Sequence, residues 1–265
     1  MRRSQIYLAL AAMVPKEYFT YRVWFWIGII LRTIGMTIYV FFWRAVYADT
    51  NTIAGLNLQQ ALNYILLAQV FAPLMDMFLV FEFGYNLREG AMAIALLRPV
   101  SLQGNYYVQS FARLVVGMVS QIPLALVATF VFGLKWPTSA AVWGAFLVTV
   151  FLGRTVLFFF DWILACLTFY TTEVWGLGVL IEGISLFFGG ALVPLVMMPV
   201  WLRAITQSFP FAQALYIPLS VLTGIVPLSQ VGQVWLVQAA WIVGLGVLAK
   251  LIFNVAIRKV TVQGG

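Results

Sequence analysis

The chain has 265 residues, of which 63% are hydrophobic and 9% are charged, and it carries fifteen Lys and Arg against eight Asp and Glu. Soluble domains contain about 45–50% apolar and about 25% charged residues, so this composition excludes an ordinary soluble domain. The chain has no histidine and a single cysteine, Cys166, which argues against a metal centre, a Ser-His enzyme and a disulfide framework.

The apolar residues form long blocks, which predict an all-α polytopic membrane protein with a single transmembrane domain over residues 1–265. Residues 1–22 mix apolar and charged side chains and predict an interfacial helix that leads into the first span. A membrane-spanning helix needs about 20 apolar residues. Six blocks reach this length and predict six transmembrane helices, at residues 23–47, 57–83, 104–134, 139–170, 174–193 and 231–257.

Two connections are longer than plain turns. Residues 84–103 carry a run of good helix formers at 91–97, and they predict a short helix outside the bilayer. Residues 191–230 hold five of the ten prolines yet remain apolar, and this density of proline forbids one continuous spanning helix. We expect short re-entrant helices there, marked by Pro194, Pro199, Trp201, Pro210, Pro218 and Gly224.

The basic residues are distributed unevenly between the two sides of the membrane. Nine lie on the side shared by both termini and residues 84–103, and three lie on the other side. Because Lys and Arg accumulate in cytoplasmic loops, we expect a multi-pass protein of the plasma (cell inner) membrane with both termini in the cytoplasm. The nine are Arg2, Arg3, Lys16, Arg22, Arg88, Arg98, Lys250, Arg258 and Lys259, and the three are Arg44, Lys135 and Arg203.

Polar and ionisable side chains also occur inside the predicted spans, where they are costly unless they are paired or hydrated. Arg154, Asp161 and Thr168 recur every seven residues and therefore share one helix face. Gly178, Ser185 and Gly189 form a seam of small residues on one helix face, which also carries the carboxylate of Glu182. Such a seam suits either packing inside the chain or a subunit interface. The candidates for a translocation path are Gln69, Asp76, Arg113, Arg154, Asp161, Glu182 and Ser185.

Two interpretations of these groups remain open. In the first they are structural pairs that fix the packing of the spans, such as Arg154 with Asp161, or Arg113 with Asp76 or Glu182. In the second they line a substrate path or couple transport to protons.

The order of these parts, together with three local stretches, is similar to a known family. The stretches are EYFTYR at residues 17–22, LLRPVSL at 96–102, and GGALVPLVMMPVWLRAI at 189–205, which continues into FPFAQALYIPLSVLTG at 209–224. In these features the chain resembles the ABC type 2 permeases, which are the membrane subunits of ATP-driven exporters.

The resemblance implies a permease, itself not an enzyme, that works with a second identical or related permease and two P-loop ATPase subunits. Those subunits would bind ATP and Mg, and the chain itself would need no cofactor, metal or nucleic acid, only membrane lipid around it. The chain contains no G-x-x-x-x-G-K-[ST] loop, which agrees with a separate ATPase. The resemblance also implies that the second and fifth spans line the path. It places a coupling helix in residues 84–103, with Arg88, Glu89, Gly90, Leu97, Arg98 and Pro99 as contacts.

Other functions fit the composition as well. A secondary transporter or channel with intramembrane Arg, Asp and Glu groups would have the same hydropathy, and it would usually show internal repeats with broken helices at matching positions. A membrane enzyme or assembly factor is a further alternative. Residues 84–103 could also be a plain amphiphilic connector on the inner leaflet. Apolar path walls favour an amphiphilic substrate, such as a drug-like molecule or a lipid.

Overall fold

The computed structural model describes residue 12 and residues 22–75, 79–97, 99–171 and 174–259. Apart from residues 12 and 22, the predicted interfacial segment 1–22 lies outside the described residues, as do Asp76 and Arg98. The described helices are α1 Arg22–Val46, α2 Leu58–Val70, α3 Leu79–Arg88, α4 Ala91–Leu96, α5 Leu102–Ser120, α6 Ile122–Phe130, α7 Ala140–Ala165, α8 Val174–Phe188, α9 Val200–Gln207, α10 Pro210–Ala214, α11 Tyr216–Leu222 and α12 Val231–Ala256. Two short antiparallel strands, β1 Thr52–Ile53 and β2 Leu56–Asn57, precede α2.

Four stretches are long and apolar enough to cross a membrane: Val23–Val46, Leu102–Phe130, Ala140–Phe169 and Leu228–Ala256. They correspond to the first, third, fourth and sixth predicted spans. The prediction of a helical membrane protein with several spans is therefore confirmed.

The second and fifth predicted spans are not single long helices. In the second, α2 ends at Val70, a 3₁₀ turn follows over Ala72–Leu74, and α3 begins at Leu79. Pro73 lies in this turn and cannot donate a main-chain hydrogen bond. The fifth span is the 15-residue helix α8, which is about 22 Å long against a hydrocarbon core of roughly 30 Å.

Helix α7 lies at the centre of the bundle, where it packs against α3, α10, α11 and α12. Large aromatic side chains pack around the C-terminal half of α7. Phe158 and Trp162 are fully buried, and the Trp162 ring packs edge to face against Phe83 of α3, with ring centroids 5.0 Å apart. At Gly153 an added Cβ would collide with the main-chain carbonyl of Gln213. The missing side chain therefore lets the backbone of α10 lie directly on α7.

The region 191–230 contains short helices, as its prolines predict. Pro210 starts α10, Pro199 precedes α9, and Gly224, with a φ of 78°, lies two residues after the end of α11. All five residues of α10 are buried, whereas Trp201 on α9 is 66% exposed. The region is therefore part of the packed bundle through α10, and it leaves an apolar face of α9 uncovered.

Helix α1 lies at the edge of the bundle and contacts α2 and α6. Met36, Val40 and Trp43 form its buried stripe, and the remainder of the helix is largely exposed, as at Trp24, which is 71% exposed. Such an apolar, exposed helix suits a lipid environment or a second membrane protein.

Candidate functional site

A small cavity between α3, α7 and α8 brings together three of the residues predicted to line a path. Asp161 of α7 and Glu182 and Ser185 of α8 all line it, next to Phe81 and Gly178. The cavity holds about 50 Å³, which is enough for water but far below the roughly 300–1,000 Å³ of sites for drug-sized molecules. In this conformation the cavity is therefore too small for a drug-sized molecule, and its polar groups lie within a largely apolar lining.

The central helix positions Asp161 through a buried polar stripe. Arg154, Asp161 and Thr168 are 2%, 3% and 6% exposed, so the predicted seven-residue stripe does face the interior. Thr168 donates from its hydroxyl to the carbonyl oxygen of Ala165, whereas Asp161 points toward the cavity. Of the three, Asp161 is the residue available to a ligand in the cavity.

Arg154 holds the break in the second span. Its Nη1 donates to the carbonyl oxygen of Leu74 at 3.0 Å, and its Nη2 donates to that of Ser110 at 3.1 Å. A broken helix leaves main-chain carbonyls without a helical partner, and in a membrane these must be satisfied by protein groups. Arg154 supplies such a group. Arg154 lies close enough to Asp161 for the two charges to interact, but the two described side chains do not form the expected salt bridge.

Arg113 forms a bidentate salt bridge with Glu82, with Nη1 to Oε2 at 2.5 Å and Nη2 to Oε1 at 2.9 Å. This pair joins α5 to α3 and is the one salt bridge between residues that the structure describes. From the sequence, Asp76 and Glu182 were the expected partners of Arg113, and Glu82 was not among them. A carboxylate inside an apolar block was the signal that could have identified it.

Among the path residues that the structure describes, Gln69 does not join this group. Gln69 is half-buried on α2 and is not among the residues that line the cavity.

A second polar cluster was missed by the sequence analysis. The Gln238 side-chain Nε2 of α12 donates to the carbonyl oxygens of Thr149 and Gln213, at 3.2 Å each. The indole of Trp235 donates to the Thr149 hydroxyl at 3.0 Å. These bonds join α7, α10 and α12 inside the bundle. The sequence signal for such a cluster is an amide in the middle of an apolar stretch of helix, as Gln238 is between Val234 and Leu248.

The predicted seam of small residues on α8 is used for packing inside the chain. A Cβ at Gly178 would collide with the Phe81 ring of α3, and one at Gly189 would meet Met75. The opposite face is open, since a Cβ at Gly176 or Gly183 would meet nothing within 4 Å. Helix α8 therefore closes the cavity with one face and leaves its other face uncovered.

The connection after α3 contains the expected short helix. Arg88 ends α3, and Glu89 and Gly90 form the turn after it, in which Gly90 has a φ of 69°. All three residues are exposed, and α4 follows as Ala91–Leu96. Met92 is 1% exposed and anchors α4, whereas Leu97 is 86% exposed. Pro99 is also exposed. The element is thus fixed on one side and presents apolar side chains on the other.

A family model described as ABC-2 family transporter protein matches residues 33–264. No curated protein and no solved structure shows significant similarity to the chain.

Proposed function

Because the chain belongs to the ABC-2 transporter family, we propose that it is the permease subunit of an exporter driven by two separate P-loop ATPase subunits. It moves an amphiphilic substrate, a drug-like molecule or a lipid, across the cytoplasmic membrane. The observation that carries this proposal is the convergence of Asp161, Glu182 and Ser185 on one cavity behind the uncovered helix α8.

A second permease copy, identical or related, completes the path. Glu182 lines the cavity but also has an exposed side chain, and Ile184 and Trp175 beside it are exposed apolar groups. An uncompensated charge at the centre of a bilayer costs roughly 2.5–3.5 kcal/mol on insertion scales. A facing copy of α8 and water between the two copies would remove much of this cost. The path then has polar groups within an apolar wall, which suits an amphiphile.

Helix α4 serves as the coupling element. Force passes from an ATPase to the spans only through a short rigid piece, and α4 is anchored by the buried Met92. Ile94 and Leu97 are 65% and 86% exposed and offer an apolar contact, while Arg88 and Glu89 add charged groups at the turn. The ATPase subunits hold ATP and Mg, and this chain contributes the docking surface.

The proposal is tested by purifying the chain with its ATPase and reconstituting the complex in proteoliposomes. We expect ATP-dependent translocation of a fluorescent short-chain amphiphile. The Glu182→Gln variant should assemble normally and lose about tenfold in substrate-stimulated ATP hydrolysis. Asp49→Asn, which changes an exposed carboxylate beyond α1, is the matched control and should retain wild-type activity.

Two results would contradict the proposal. Micromolar nucleotide binding by the purified chain alone would exclude a permease that depends on a separate ATPase. Translocation driven by an ion gradient without ATP would instead identify a secondary transporter.

A further inference from the structure

A second and larger cavity lies at the end of the bundle opposite α4. It holds about 540 Å³, which falls within the range of sites for whole small molecules. It is open to one side, and three segments line it: the first turns of α2, the loop before α7 and the end of α11. Its polar lining consists of Asn57, Gln59, Gln60, Asn63, Lys135 and Thr223.

The amide groups around this cavity leave mainly hydrogen-bond donors free. The Oδ1 of Asn57 accepts from the main-chain N–H of Gln60, and the Oε1 of Gln60 accepts from the main-chain N–H of Asn57. Because main-chain N–H groups can only donate, these bonds fix which amide atom is oxygen. The NH₂ groups of both side chains make no other hydrogen bond with the part of the chain that the structure describes, so they remain available to a ligand.

Lys135 adds a positive charge to this lining, on a loop whose main chain is held in place. Asn63 accepts from the Lys135 main-chain N–H at 2.8 Å and donates to the Lys135 carbonyl at 3.1 Å. These two bonds hold the loop across 72 residues of sequence, while the lysine side chain stays exposed. Lys135 is the one charged residue that lines the cavity in the described chain, and no carboxylate is among the lining residues. An ammonium group among amide donors suits an oxyanion.

The cavity lies beside a tryptophan pair of the kind found at the membrane surface. Trp136 follows Lys135 and stacks on Trp143 with ring centroids 6.0 Å apart, and tryptophan at helix ends marks the interface between lipid and water. Phe130 and Val131, at the end of α6, are 82% and 67% exposed. These two side chains precede Lys135 by five and four residues in the sequence, so the loop that carries the lysine follows an apolar surface suited to acyl chains.

We propose that this cavity binds the phosphate-bearing headgroup of an anionic membrane lipid. Lys135 and the amides of Asn57 and Gln60 donate to the phosphate oxygens, and the remaining volume admits the rest of the headgroup. The proposal does not depend on transport, because the site lies apart from the cavity of Asp161 and Glu182 and can be tested without an ATPase.

The test measures binding of a fluorescent short-chain phosphatidylglycerol to the purified chain in neutral detergent, with phosphatidylcholine as the zwitterionic comparison. Wild type should prefer phosphatidylglycerol. Lys135→Gln should weaken that binding by about tenfold, and Lys135→Arg should retain it. The matched control is Arg44→Gln, which removes another exposed cation at the same end of the bundle that does not line the cavity.

Each outcome decides the proposal. Equal binding by wild type and Lys135→Gln, or an equal loss in Arg44→Gln, would overturn it because the attraction would then be general surface charge. Displacement of the lipid by millimolar inorganic phosphate would assign the site to a soluble ion and overturn the lipid assignment. Retention of the lipid in millimolar phosphate, together with the loss in Lys135→Gln, supports the headgroup site.

Discussion

At the scale of single residues, close backbone contact and buried polar groups determine the packing of this bundle. Gly153 permits the main chain of α10 to lie on α7, and Gln238 then donates to the carbonyl of the same residue, Gln213, that Gly153 accommodates. Hydrogen bonds between helices contribute modestly in a membrane, and close approach through small residues contributes by dispersion. The contact between α7 and α10 combines a hydrogen bond from Gln238 with close backbone approach at Gly153.

We predict that Gly153→Ala destabilises the chain by about 1–3 kcal/mol, because its Cβ has no room beside the Gln213 carbonyl and the backbone must shift. Thermal unfolding in detergent measures the effect. Gly144→Ala, on the same helix and with nothing within 4 Å of the new Cβ, is the control. It should be neutral or gain about 0.5–1 kcal/mol from the helix preference of alanine. Equal melting temperatures for both variants would refute the close contact.

We also predict that Glu82→Gln lowers stability by about 1–3 kcal/mol, because it removes the carboxylate that Arg113 binds through two hydrogen bonds. The loss is less than the 3–5 kcal/mol of fully buried pairs, since the two side chains are 30% and 23% exposed. The double variant Glu82→Gln with Arg113→Gln should recover part of it, and a double-mutant cycle measures the coupling. Additive losses would show that the pair contributes no coupling energy.

At the scale of elements, the long helices were predictable and the breaks were not. Continuous apolar blocks identify α1, α7 and α12 because length and hydropathy suffice for a span. The second block looked continuous, since proline is tolerated in membrane helices and its presence does not say whether the helix bends or breaks. The break depends on Arg154, which lies 80 residues away from Leu74 in sequence.

The end of α8 is a second feature that hydropathy does not predict. Its apolar block continues to residue 193, yet the helix ends at Phe188, where Gly190 adopts a φ of 78° and the N–H of Ala191 donates to Leu186. Glycine in this conformation is a common helix end. Hydropathy does not register such an end because the residues that follow are equally apolar.

For α4 we predict that one substitution affects assembly and another affects folding. Leu97→Ala, at an 86% exposed position, should weaken binding to the ATPase by about tenfold and leave thermal stability unchanged. Met92→Ala, at a 1% exposed position, should lower stability by about 2–4 kcal/mol through lost packing. Copurification and thermal unfolding measure the two effects. Wild-type ATPase binding and transport in Leu97→Ala would favour a plain connector.

At the scale of the whole molecule, the sequence could indicate which groups are polar but not which of them meet. Asp161, Glu182 and Ser185 were all candidates, and the fold brings these three to one cavity. Arg113 and Arg154 were candidates as well, and both form contacts between helices. The distinction depends on the rotation of each helix against its neighbours, which single-helix periodicity does not determine.

The proposed topology has both termini in the cytoplasm and residues 191–230 outside. We expect a membrane-impermeant maleimide to label Gln207→Cys in intact cells, and to label Glu89→Cys only after permeabilisation. The charge asymmetry of the loops is the physical reason. The native Cys166 is fully buried and gives little background. If intact cells labelled Glu89→Cys and not Gln207→Cys, the protein would have the opposite orientation in the membrane.

The contacts of Arg154 also have a consequence for the order in which the chain is made. Leu74 and Ser110 precede Arg154 by 80 and 44 residues, so both leave the ribosome before the side chain that binds their carbonyl oxygens. An insertase would therefore have to shelter the broken second span until α7 arrives. Nascent chains that stop before Arg154 would remain exposed to membrane proteases for the same reason.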